Sequence, residues 1–170
     1  MIGTPFHVLL FVLAAGVGVV ALRQQNGAFA GMSLAIACVL LTTWIRYGGV
    51  MAAGRHYRAG RRDAAWSELR RVPLRGRLLA AGHRPYFHLL RAAVLLDRGE
   101  WAAVLREGEA VLAMPKTNAA NHATAHGAMS KALLMLGDHA AAAEHVRLAR
   151  TMPHKPGLDR LLAAVAEGLE

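Results

Sequence analysis

The 170 residues carry a net charge of +9, 55% hydrophobic and 6% aromatic side chains, and a mean hydropathy of +0.29. One cysteine, Cys38, excludes an internal disulfide framework. Ala, Leu and Val supply most of the apolar content, while strand-favouring residues are scarce, so the composition predicts an all-α fold.

The first charged side chain is Arg23. Before it runs PFHVLLFVLAAGVGVVAL (residues 5–22), and after RQQNG comes AFAGMSLAIACVLLTTWI (residues 28–45). At ~1.5 Å per residue, each would extend roughly 27 Å as a helix, near the ~30 Å hydrocarbon core of a bilayer. Asn26-Gly27 reads as a tight turn. Residues 1–46 are therefore expected to form a transmembrane helical hairpin. The first segment lacks the basic start of a secretory signal, and a second apolar segment follows at once, which argues against cleavage. Small residues at Ala14 and Gly18 on one segment and Gly27, Gly31 and Ala35 on the other suit close helix packing. That packing could join the two segments or two copies of the chain.

The charge is unevenly placed. Residues 46–84 hold ten arginines against Asp63 and Glu68, whereas residues 85–170 carry nine basic and nine acidic side chains. Arg46, Arg55, Arg58, Arg61 and Arg62 follow the second segment closely, while the connecting turn has Arg23 alone. The positive-inside rule then predicts a multi-pass protein of a bacterial inner membrane, with N-terminus and C-terminal domain (47–170) both cytoplasmic. The same arginines could bind anionic lipid headgroups. Without interleaved aromatics or a recognised motif they do not point to nucleic acid.

Residues 95–115, LLDRGEWAAVLREGEAVLAMP, and 133–153, LLMLGDHAAAAEHVRLARTMP, share a pattern. Both read Leu-Leu, two residues, Gly, an acid, one residue, Ala-Ala, and end in Met-Pro. A fainter copy is HYRAGRRDAAWSELRRVP (residues 56–73). Gly60, Gly99 and Gly137 break a first helix in each copy, and a second, Ala-rich helix follows and ends near a proline. Small or slim residues stand at fixed offsets from each glycine: Ala53, Ala65 and Val72; Ala92, Val104 and Val111; Ser130, Ala142 and Ala149. This pattern resembles the tetratricopeptide repeat (TPR) over residues 47–154. It departs from that family in its longer period, in valines at some alanine positions and in a missing early Trp. Residues 74–84 read as a connector with one or two helical turns. At the C-terminus Leu158, Leu161, Leu162, Val165 and Leu169 share one helix face, as a capping helix requires.

The resemblance implies a groove lined by the first helix of each of about three repeats. Its positions fall on Tyr57 and Arg58, on Tyr86, Leu89, Ala93 and Asp97, and on Thr124, Gly127, Lys131, Leu134 and Met135. Such a groove would hold an extended peptide or a partner helix. The plan is similar to that of longer bacterial inner-membrane TPR proteins associated with haem or envelope biogenesis. It implies a membrane-anchored scaffold or adaptor mediating protein–protein interaction. The other reading is a structural subunit of a multi-protein membrane complex whose hairpin packs with other spans.

No catalytic constellation, phosphate loop or dinucleotide turn is present, so neither an enzyme nor a cofactor is expected. His122 and His126 lie four apart, on one helix face. They could form part of a metal- or haem-linked sensor only with a third ligand from His88, Asp97 or His145. No zinc framework accompanies them, and no metal is expected.

Overall fold

A computed structural model describes residues 4–43, 47, 49–115 and 117–169, and among them it is all-helical, without strands. The α-helices are α1 (Thr4–Arg23), α2 (Gly27–Thr43), α3 (Gly49–Arg58), α4 (Arg62–Arg71), α5 (Arg84–Asp97), α6 (Trp101–Leu112), α7 (Ala119–Met135), α8 (His139–Arg150) and α9 (Pro156–Glu167).

α1 and α2 pack on one another through a turn of three residues. The left-handed position of the turn is Gln25 (φ 59°), not a glycine. Asn26 instead caps α2, its side-chain oxygen accepting the Phe29 amide at 3.2 Å. Gly18 and Ala21 of α1 meet Ala30, Ser33 and Ala37 of α2, all buried. A Cβ on Gly18 would stand 3.0 Å from Leu34 Cγ, so glycine is what permits this approach. Gly27, Gly31 and Ala35 were the expected packing residues on α2, but they face outward, and neither glycine has a neighbour near its missing Cβ. The seam on α2 runs instead through Ala30, Ser33 and Ala37. Ala14 is half-buried.

The outer surface of this pair is apolar. Leu9, Val12, Leu13, Val19 and Val20 on α1, and Met32, Ile36 and Val39 on α2, are about half exposed. Yet among the described residues no helix is long and apolar enough to cross a membrane. The described part of α2 has 17 residues, Gly27–Thr43, and the expected boundary at 45 falls among residues 44–46, which lie outside the described residues.

The remaining helices form three helical hairpins, α3–α4, α5–α6 and α7–α8, each packed on the next, with α9 on the last. One turn chemistry recurs. Gly60, Gly99 and Gly137 have φ of +73°, +71° and +82°. After each, the next amide donates to the carbonyl five residues back: Arg61 to His56, Glu100 to Leu95 and Asp138 to Leu133. This satisfies a carbonyl orphaned by the end of the helix, at a backbone conformation only glycine adopts cheaply.

All nine small positions at fixed offsets from these glycines are buried. They let the two helices of each pair approach, and larger side chains fill the spaces between pairs. Phe87, Leu69, Val50 and Val94 build one cluster between α3, α4 and α5. Leu95, Val104, Ala128 and Ala132 build the next. Leu158, Leu162 and Val165 of α9 close the series against Ala123, Val146 and Ala149. Core formation is thus local and serial, as in stacked repeats.

The connector before α5 contains two 3₁₀ turns, Pro73–Gly76 and Ala81–His83. The Arg84 guanidinium ties it down, donating to the carbonyls of Arg77 (2.8 Å) and Leu79 (3.1 Å).

Candidate functional site: the inner concave face

The first helices of the three pairs, α3, α5 and α7, turn one face each toward a common concavity. Two adjoining hollows of about 400 and 290 Å³ share Tyr57, Leu89, Ala93 and Thr124. The larger adds Asp97, Trp101, Lys131 and Leu161, and the smaller adds Arg58, Tyr86, Asn121 and Lys155. Eight of the eleven groove residues read from the sequence therefore meet on one surface, which makes this the leading site.

The other three do not belong to it. Leu134 packs toward Gly168, beyond the end of α9. Met135 is exposed and lines neither hollow. Gly127, also placed in the groove by the repeat register, lies under Leu158, which a Cβ there would strike. For Gly127 and Leu134 the cause is α9, which lies over this part of α7 and takes it as its own packing surface.

Sequence reasoning missed what α9 contributes: Leu161 and Lys155, on or beside it, form the far wall. The amphipathic pattern of α9 did signal Leu161, as a core residue. Gly54 was also missed. A Cβ there would stand 2.3 Å from the Tyr86 hydroxyl, so glycine on α3 is what lets the Tyr86 ring lie across it.

Charge in the concavity is asymmetric. Asp97 is its acidic group, and Arg62, reaching from the start of α4, bonds it at 2.5 Å. The Arg62 guanidinium also lies 5.8 Å from the Tyr57 ring centroid. Burial raises the Tyr57 hydroxyl pKa, and the neighbouring Asp97 carboxylate raises it further. The Tyr57 hydroxyl is therefore a neutral hydrogen-bonding group at physiological pH. Arg58, Lys131 and Lys155 have no acidic partner among the described residues.

The arginines assigned to a membrane-facing patch divide. Arg46 lies outside the described residues. Arg55 is half-buried, Arg58 lines the groove, Arg61 is exposed and Arg62 is engaged with Asp97. Arg55, Arg58 and Arg62 do not share a continuous helical face, because the chain turns at Gly60 before Arg62 begins α4.

His126 and His145 meet Nδ1 to Nδ1 at 2.9 Å, with His122 one turn away. Burial lowers the pKa of both members of the pair, and His145 lowers that of His126 further. Among the described residues no three His, Cys, Asp or Glu side chains are placed to hold a metal ion. A different polar cluster does stitch the fold together. Glu107 of α6 accepts from Arg91 (2.8 Å) and bonds His88 (2.7 Å), both on α5. Burial pushes the Glu107 carboxyl up, but the His88 bond and Arg91 together outweigh it and hold it below its ordinary value.

Fold and site together define a class: stacked helical hairpins with a concave face built from their first helices. No family model matches the chain, and no similar curated protein or solved structure was found.

Proposed function

We propose that this chain is a membrane-anchored scaffold or adaptor that binds another protein in the concave face of a TPR-like repeat domain. The carrying observation is the convergence of Tyr57, Tyr86, Leu89, Ala93, Thr124 and Lys131, from three successive first helices, on two adjoining open hollows. Aromatic and aliphatic walls with a few polar groups suit an apolar anchor residue of a peptide or helix.

The anchoring half of the proposal rests on the surface of the α1–α2 pair. No described helix reaches a span's length and apolarity by itself. However, about a dozen large apolar side chains point outward from the pair, and so large an apolar exterior marks a membrane or protein contact. The 17 described residues of α2 alone reach about 26 Å, and a bilayer absorbs a mismatch of a few Å by local thinning. The excess of arginine after α2 then orients the repeat domain to the cytoplasmic face of an inner membrane.

The same exterior supports a second reading, a subunit of a membrane complex whose hairpin packs on other spans. Mild-detergent affinity purification with mass spectrometry separates the two. An adaptor loses its partner when Ala93→Trp fills the groove. A subunit keeps its partner in that variant and loses it when Val17→Arg disrupts the hairpin exterior.

A further inference from the structure

We infer that the groove's occupant is an acidic protein segment with aliphatic side chains at its centre, an inference that rests on the groove reading above. The two hollows share an apolar middle, Leu89 and Ala93 with the Tyr57 ring, and carry cations at both ends. At one end Lys131 stands beside Trp101 and Leu161, and at the other Arg58 and Lys155 stand beside Tyr86 and Asn121. The one acid within the lining, Asp97, is already engaged by Arg62. Among the described residues the three end cations pair with no carboxylate of this chain.

A basic occupant would bring like charges together at both ends, and a wholly apolar one would leave three cations partly desolvated without compensation. An acidic segment with leucine-like side chains over Leu89 and Ala93 satisfies both features. The amide of Asn121 is placed to hydrogen-bond its backbone. Cations at both ends, rather than one, favour an internal segment over a single terminal carboxylate.

The test uses the full chain in mild detergent and three fluorescein-labelled peptides of equal length and equal leucine spacing. Their remaining positions are all Glu, all Gln or all Lys, and binding is read by fluorescence anisotropy. The Glu peptide should bind about tenfold more tightly than the Gln peptide at low salt, with the advantage shrinking as salt rises. The Lys peptide should bind weakest. Lys131→Glu combined with Lys155→Glu should invert the order, with the unfolding midpoint and helical circular dichroism checked for an intact fold. Ala93→Trp should abolish binding of all three.

Equal, salt-independent binding of the Glu and Gln peptides, or Glu-peptide binding that survives the double reversal, overturns the acidic-segment inference. If that binding is still lost in Ala93→Trp, the groove reading stands. Glu-peptide binding that survives Ala93→Trp places it elsewhere and overturns both. If no peptide binds while Ala93→Trp still strips the partner from the purified chain, the inference falls and the groove reading remains.

Discussion

The α1–α2 pair and the repeat domain are both helical hairpins, yet they bury opposite things. In the repeat domain the large apolar side chains, Phe87, Leu95 and Leu162 among them, go inside, and charged residues cover the outside. In the α1–α2 pair the fully buried seam residues are small, Gly18, Ala21, Ala30, Ser33 and Ala37, with Leu34 laid against Gly18, while most leucines and valines turn outward. The first arrangement is what water selects, since burying large apolar surface is its main driving force. The second gains little from water exclusion and relies on close backbone approach, as helices do where their surroundings are themselves apolar. One chain thus follows two packing rules, and the boundary falls between Thr43 and Gly49.

The largest effect that would sharpen this contrast is on the repeat side. Phe87 is fully buried between α3, α4 and α5, against the connector glycine Gly76. Phe87→Ala should cost about 3–5 kcal/mol and bring down the unfolding midpoint in a denaturant titration, with the α1–α2 pair unaffected. Next in size is Val17→Arg on the exterior of the hairpin, where Val17 is 44% exposed. In water such a change costs within ~0.5 kcal/mol, whereas at mid-bilayer arginine costs about 2.5–3.5 kcal/mol. Membrane flotation of the variant decides. Loss from the membrane fraction is expected, and full retention with unchanged stability would place Val17 away from lipid.

These two regions were not equally legible. The repeat turns could be read because each depends on one residue type at one place: Gly60, Gly99 and Gly137 each take the left-handed conformation. The groove register could be carried from Tyr57 to Lys131 because side-chain direction on a helix follows from spacing. It failed at Gly127 and Leu134 because α9 competes for the same face, and no spacing rule within α7 reveals a helix that arrives from later in the chain. The α2 side of the hairpin seam differs from the expected glycine stripe, since Gly27, Gly31 and Ala35 are no smaller in effect than Ala30, Ser33 and Ala37 and packing alone chooses. The Arg91–Glu107–His88 cluster was invisible, because its members lie 16 and 19 residues apart and belong to different helices.

That cluster supplies a third prediction. Glu107→Gln keeps the shape but removes the charge facing Arg91, and should cost about 1.5–3 kcal/mol by loss of charged hydrogen bonds in a partly buried site. In the native chain the Glu107 carboxyl is held below its ordinary value of 4.5. Its contribution is therefore complete above about that pH and is lost as pH falls through the folded-state value. The variant should be destabilised at neutral pH and should approach the parent at low pH. A difference that is constant with pH would assign the effect to shape rather than charge.

The smallest effect concerns the histidine pair, and it also divides the two regions, since the α1–α2 pair carries no such group among its described side chains. Burial lowers the pKa of His126 and His145 below the ordinary 6.5. The groups facing them are each other, His122 on the same helix, and Glu144, which raises both and is itself bonded to Arg147. The unfolded chain therefore takes up protons first as pH falls, so stability is full above about pH 6.5 and declines below it. Thermal unfolding followed between pH 7.5 and 5.5 should show a midpoint that drops on acidification. His126→Leu combined with His145→Leu should flatten that drop while leaving the Glu107-dependent loss at lower pH in place. A slope that persists in the double variant would move its origin to a histidine elsewhere, and His154 is not that residue. Its bond to Asp159 raises its pKa, so it stabilises the fold in the opposite sense, in the protonated form.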